Sequence, residues 1–247
     1  VRITSCSQVD SALRAVEVRG GTLDFNGLAC TAAIELHSSP LLLNQVRFVR
    51  LTNCGGGLNA PAGLPVFRVA AGVAAYFVEV DNCLILGTVD ASRVYSSTFR
   101  QLWILPPAGQ DALRLVGPAY YNVFAGLYVG GPIVAQSSGG VYDGPNTNTL
   151  RESRIQSTVT IGANVQNWRI RDNAFEGCGA VCLSLAGTRL EVGSGNRFEC
   201  AGPVGIDLLA GSDGVIETQY WSSCGIRVRL SGADPLNWRI APQPGQQ

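Results

Sequence analysis

One phrase, repeated three times in the C-terminal third, constrains the fold of this chain more than any other feature. Asn173-Ala174-Phe175-Glu176-Gly177-Cys178-Gly179 is followed by Asn196-Arg197-Phe198-Glu199-Cys200-Ala201-Gly202 and then by Thr218-Gln219-Tyr220-Trp221-Ser222-Ser223-Cys224-Gly225. Each aromatic leads to a Cys and a Gly, and then to an alternating apolar run that begins at Val181, Val204 or Ile226. Further back a large apolar residue recurs at Phe25, Phe48, Phe77, Phe99, Phe124 and Leu150, so that the whole series runs at steps of 22 to 29 residues. A unit of that size cannot bury its own apolar face, and it becomes stable by stacking on the next one, which is the definition of a solenoid. The intervening segments are short β-branched alternations bounded by Gly, Asn and Pro, and a single stretch has helical periodicity. The expected fold is all-β: a right-handed single-stranded parallel β-helix of about nine coils, with strands stacked at about 4.8 Å into a rod on the order of 40 Å long.

Near the N-terminus, Ser7-Gln8-Val9-Asp10 has the form of a capping box, and Val9, Ala12, Leu13 and Val16 follow at helical spacing. A short helix over about residues 8–18 is expected to cover the open end of the solenoid. The unbroken repeat predicts one domain over 1–240, and the Pro- and Gln-rich residues 241–247 read as a flexible tail. The Gly- and Pro-dense stretches 53–65, 106–111 and 130–145 are expected to leave the solenoid as loops.

The formal net charge is zero, which gives no electrostatic footprint for nucleic acid. No apolar run approaches the roughly 20 residues that span a bilayer, so membrane insertion is not expected. All 18 basic residues are Arg, which reads as coding bias, and the absence of Met predicts a piece of a longer chain. The 8 cysteines include no Cys-x-x-Cys pair, so a structural zinc is not expected. Cys178, Cys200 and Cys224 fall at matching places in successive repeats and read as a stack of small buried hydrophobes. His37, the one histidine, lies in no metal-ligand spacing and reads as solvated or capping. Neither a metal nor a cofactor is expected.

Glycoside hydrolysis needs two carboxylates flanking a sugar, one to protonate the leaving oxygen and one to act as nucleophile or as base for water. Glu176 and Glu199 follow the repeated aromatic in successive coils, so they are expected one above the other, roughly 5 Å apart at the backbone. These two are the candidate catalytic residues. Arg151, which follows Leu150 in the coil below, is expected to place a cation beside them. The same alternation also allows both acids to face solvent on the outer wall, paired with Arg151 or Arg171. Sugar rings stack on flat apolar platforms, and the substrate-binding candidates are Trp221, beside the repeated Tyr220, and Tyr142, in a Gly- and Pro-rich segment, with Asp172 and Arg151 as polar contacts. Trp103, Tyr120, Tyr121, Tyr128 and Trp168 are further platform candidates, of which Trp103 is equally suited to the core.

A resemblance joins these readings. The short Ala/Leu helix, then Gly20-Gly21-Thr22-Leu23-Asp24-Phe25-Asn26-Gly27, then Ala33-Ile34-Glu35-Leu36, is similar to the start of the pectate-lyase-like β-helix domain of bacteriophage tailspikes. Asn146-Thr147-Asn148-Thr149-Leu150, Asn173-Ala174-Phe175-Glu176 and Asn196-Arg197-Phe198-Glu199 resemble the rungs of the same proteins. The resemblance implies host recognition from a virion tail: a homotrimer that binds a bacterial surface polysaccharide, capsule or lipopolysaccharide, and hydrolyses it. Two alternatives remain open, a non-catalytic binding or structural module of a virion or secreted adhesin, and a bacterial polysaccharide lyase or epimerase. The Asn-Thr-Asp, Asp-Asp, Gly-His-Gly and Arg-Ile-Lys set of polygalacturonases is missing, as are the clustered aspartates of calcium-dependent pectate lyases. A pectinase-like fold does not carry those activities with it.

Overall fold

The computed structural model describes residues 1–37, 44–140 and 143–243, and it is a parallel β-solenoid of about nine coils with one short N-terminal helix. Each coil contributes to three walls. The first wall stacks strands such as Thr149–Arg151, Arg169–Arg171 and Leu190–Val192, and the second stacks Arg154–Ile155, Ala174–Cys178 and Arg197–Cys200. In the early coils single strands, Val49–Asn59, Glu79–Leu86 and Thr98–Ile104, run through both walls. A third wall of nine strands runs from Ile34–Leu36 to Ile226–Ser231. A narrow return edge closes each coil, from Gln45–Arg47, Ala74–Tyr76 and Val94–Tyr95 through single bridges at Tyr120, Asn146, Gln166 and Thr188.

Alternation sends every second side chain inward, and stacking turns these into columns. In the first wall Leu51, Val80, Phe99, Phe124, Leu150, Ile170, Val192 and Ile216 lie in register. In the second wall Ile104, Val129, Ile155, Phe175, Phe198 and Trp221 do so. The repeat spacing therefore described two columns as one. Leu150 faces Ile170, and the chain reaches Phe175 only after turning the next corner, so the aromatic series crosses from the first wall to the second between them. Tyr220 is also displaced by one residue: Trp221 stacks on Phe198, and Tyr220 points out at 65% exposure. Phe48 and Phe77 are not in the core at all but stack on each other outside.

Corners recur at residues in the left-handed region, one per coil. Between the first and second walls these are Asn53, Asn82, Gln101, Gly126, Glu152 and Asp172. Beside the inner face of this corner runs a buried amide ladder. Asn173 Oδ1 accepts from the backbone N–H of Ser153, Asn196 Oδ1 from that of Asn173, and Gln243 Oε1 from that of Gln219, while Asn196 Nδ2 donates to Gln219 Oε1. Each side chain thus satisfies backbone groups that the bend removes from the strand ladder.

The helix occupies Val9–Arg19 and buries Val9, Ala12, Leu13 and Val16 against the first coil. The capping box sits not at Ser7 but two residues earlier, on a 3₁₀ turn, Cys6–Gln8, that leads into the helix: Ser5 is its N-cap, and Gln8 Oε1 accepts from the backbone N–H of Thr4 and of Ser5. Glu17 is buried on the same element, and burial raises its carboxyl above the ordinary range although the His37 backbone N–H donates to it at 2.7 Å. Residues 53–59 do not loop out: they continue the strand Val49–Asn59 across the first coil. A Cβ on Gly56 would lie 2.3 Å from the Gly27 carbonyl oxygen, so the glycines there serve close approach, and the loop proper begins after Asn59. In the third stretch, Ile133–Gln136 remains a strand of the third wall. At the C-terminus, the Ala241 N–H donates to Ile216 and Gln243 is 7% exposed, so the stack takes in residues 241–243.

The cysteines depart from the sequence reading. All eight are paired, as Cys6–Cys30, Cys54–Cys83, Cys178–Cys182 and Cys200–Cys224. Stacking brings such pairs together, as with the register neighbours Cys54 and Cys83, because adjacent coils lie within disulfide reach of each other. Three of the four bonds staple one coil to the next, and the fourth closes a corner between the second and third walls.

Candidate functional site on the second wall

Side chains pointing outward from the second wall form a column of their own. In register it runs Leu84, Trp103, Tyr128, Arg154, Ala174, Arg197 and Tyr220. Trp103 is 57% exposed and stacks on Tyr128 with ring centroids 4.9 Å apart. The Arg154 guanidinium lies over the Tyr128 ring at 5.7 Å, and the Tyr128 hydroxyl donates to Gln156 Oε1 at 2.8 Å. Beside Trp103 opens a groove of about 590 Å³, lined by Gly55, Asn82, Leu84, Gln101 and Gly126. The column is thus aromatic at one end and charged at the other.

Glu176 and Glu199 are register neighbours two residues further along this wall, on the same face as Ala174 and Arg197. Arg154 Nε lies 2.5 Å from Glu176 Oε2, and Arg197 Nη2 lies 3.2 Å from Glu176 Oε1 and 3.1 Å from Glu199 Oε1. One guanidinium therefore bridges the two carboxylates, and a second holds the inner one from below. Such a ladder neutralises the charge repulsion of stacked acids and presents forked donors to a ligand that can compete for them.

The other sequence candidates lie elsewhere. Arg151 is on the first wall, in register with Ala125 and Arg171, and pairs with Glu152 at 2.5 Å. Its expected place is taken by Arg154, because the partner of Phe175 in the coil below is Ile155 and not Leu150. Asp172 is the exposed left-handed corner residue, and its amide donates to the Ser194 carbonyl. Trp221 closes the inner column, its ring 4.6 Å from Phe198 and its Nε1 donating to Gln243 Oε1. Tyr142 lies outside the described residues. The platform on this wall is Trp103 with Tyr128, two of the sequence candidates, which the sequence reading ranked behind Trp221. Its signal was present, because Trp103 and Tyr128 are both one residue ahead of a core aliphatic, Ile104 and Val129.

Among the described residues no three of His, Cys, Asp and Glu converge as metal ligands. In the described part of the chain no helix is long and apolar enough to cross a membrane.

No protein-family model and no curated protein matches the sequence. Among solved structures the chain is similar to the ORF18 protein of Geobacillus virus E2, with a TM-score of 0.57 and 14% identity over 97% of this chain and 58% of that one. It is also similar to an alginate lyase from Paenibacillus sp. str. FPU-7, with a TM-score of 0.60 and 8% identity over 94% of this chain and 98% of that one. The chain spans little more than half the length of the viral protein. At these identities the likeness concerns the β-solenoid fold alone.

Proposed function

We propose that this β-solenoid binds a bacterial surface polysaccharide, capsule or lipopolysaccharide, along the outer face of its second wall, as a tailspike-like part of a virion or as a secreted surface protein. The observation that carries the reading is the exposed Trp103–Tyr128 stack continuing into the Arg154, Glu176, Arg197 and Glu199 ladder. Stability alone does not require an indole on an open wall. Sugar binding does, because ring faces stack on the aromatic surface while charged forks bond to hydroxyl or carboxylate groups. The four disulfides support an oxidising, extracellular setting. A homotrimer, implied by the tailspike resemblance, belongs to the same proposal.

Hydrolysis is the second reading, favoured by the register pairing of Glu176 with Glu199. Binding stands first because both acids are held by guanidinium groups, and cleavage requires the substrate to displace Arg197 from between them. The test is retention on immobilised capsular and lipopolysaccharide preparations, with released oligosaccharides measured in the same samples. Retention lost on Trp103→Ala, without release, supports binding alone. Release that is abolished by Glu176→Gln or Glu199→Gln establishes the hydrolase. Retention by no preparation, with no release, overturns both readings, and retention indifferent to Trp103 overturns binding on the Trp103–Tyr128 platform.

A further inference from the structure

The return edge carries a second outward column that differs in kind from every ion-paired face of the molecule. The third wall is neutralised by acid and arginine pairs, Glu35 with Arg68, Asp90 with Arg114 and Asp207 with Arg229. The first wall does the same with Arg50 and Arg100 on Glu79 and Asp81. On the return edge the register column starts at Arg47 and then runs through Tyr76, Tyr95, Tyr120, Asn146, Gln166 and Thr188, six successive rungs of which none is charged. Tyr76 and Tyr95 stack at 4.9 Å, and Tyr120 meets Tyr95 edge-on at 5.4 Å. Six rungs at about 4.8 Å give a track roughly 24 Å long from first to last. Charge stands at its ends and margins, with Arg47 over the Tyr76 ring, Arg93 near Tyr95, Asp143 near Tyr120 and Arg189 beside Thr188.

A backbone feature beside this column points to a ligand. Phe48, Phe77 and Tyr121 flank it in the left-handed region, with φ of 58°, 54° and 61°, and they are 62%, 49% and 63% exposed. The same corner position in other coils holds Gly20, Ser96, Thr147, Asn167 and Arg189. A bulky aromatic in that conformation is unfavourable, and at this exposure the Phe48–Phe77 stack and, for Tyr121, open solvent return little for it, so folding alone gives a weak reason for the rings. Where the rings give way to amides, a hollow of about 280 Å³ opens between Tyr120, Tyr121, Asn146 and Gln166.

We propose that the return edge is a second glycan-binding track, taking an uncharged polysaccharide laid along the solenoid axis. The tyrosine and phenylalanine faces stack on sugar rings, and the Asn146 and Gln166 amides and the Thr188 hydroxyl bond to sugar hydroxyls. It goes beyond the second-wall site, with which it shares no residue.

The test is affinity electrophoresis in gels containing dextran, mannan, galactan or alginate, at low salt and at about 0.5 M sodium chloride, where exposed charges are screened. The parent chain is expected to be retarded by at least one of the three neutral polymers, equally at both salt concentrations. Phe77→Asn and Tyr121→Asn are the variants, because Asn tolerates the left-handed corner and removes the ring. Each is expected to weaken retardation by about tenfold or more without lowering the melting temperature. Trp103→Ala is expected to leave it unchanged. Absence of retardation by all three neutral polymers overturns the proposal, as does equal retardation of parent and corner variants. A change in sedimentation without a change in retardation also overturns it, by making the edge a contact between protein copies. Loss of neutral-polymer binding on Trp103→Ala overturns this track and leaves the second-wall reading standing; the failure of Trp103→Ala on surface polysaccharides does the reverse.

Discussion

Replacing Asn196 by aspartate changes no volume, yet it acts where the solenoid needs a donor and an acceptor from one side chain. The residue is fully buried. Its Oδ1 accepts from the Asn173 backbone N–H and from Asn173 Nδ2, both at 3.1 Å. Its Nδ2 donates to the Gly193 carbonyl at 2.7 Å, to Gln219 Oε1 at 3.0 Å and to the Ile170 carbonyl at 3.1 Å. A carboxylate keeps the two accepted bonds but turns a negative oxygen toward three acceptors. The amide carries two hydrogens shared among these three oxygens, so two donated bonds are lost, and at about 1–2 kcal/mol each they predict a loss of about 2–4 kcal/mol at neutral pH. That is a large part of the ~5–15 kcal/mol that holds a typical domain folded. Protonation restores one donor, so the folded state binds a proton that the unfolded chain does not, and the folded pKa of the introduced carboxyl rises. With more protons bound in the folded state, stability falls as pH rises through the window between the unfolded and folded values. Urea unfolding of parent and Asn196→Asp should therefore show a deficit that is largest at neutral pH and shrinks on acidification. A deficit under about 1 kcal/mol, or one that grows in acid, would refute the role given to the ladder.

Phe198→Ala removes the middle ring of the Phe175, Phe198 and Trp221 stack and should cost about 3–5 kcal/mol in the same unfolding assay. Alkylation of the denatured, unreduced protein should label no cysteine, and Cys200→Ser with Cys224→Ser should destabilise by about 2–4 kcal/mol. The hydrogen bonds from Arg229 hold the Asp207 carboxyl below the ordinary range, so its contribution is present above the unfolded pKa and is lost as pH falls through the folded one. Thermal melts of Asp207→Asn should accordingly lie below the parent at neutral pH and converge with it in acid.

Much of the architecture was legible because a solenoid writes its coil length into the chain. The repeated Phe-Glu phrase correctly stacked Glu176 on Glu199, since both residues occupy one wall. The column itself was misread for a physical reason. The first and second walls are both apolar at alternate positions and lie one corner apart, so a period measured in coil lengths does not say which wall a residue occupies. Asn173, Asn196 and Gln219, each two residues ahead of Phe175, Phe198 and Trp221, mark the corner unambiguously and would have shown that Trp221, not Tyr220, follows Phe198. Arg151 was carried to the wrong wall by the same ambiguity, and Arg154 stands where it was expected. The disulfides were hidden because matching repeat positions are equally what small buried side chains and cross-coil staples require.

Trp103 offers the most direct test of the second wall as the binding face, because Trp168 and Trp238 are buried and Trp221 is stacked on Phe198. Intrinsic fluorescence should be recorded while a retained surface polysaccharide is titrated into the parent chain and into Trp103→Phe. The account predicts a saturable change in emission in the parent that is absent from the variant. An undiminished change in Trp103→Phe, or none in either protein, would contradict it.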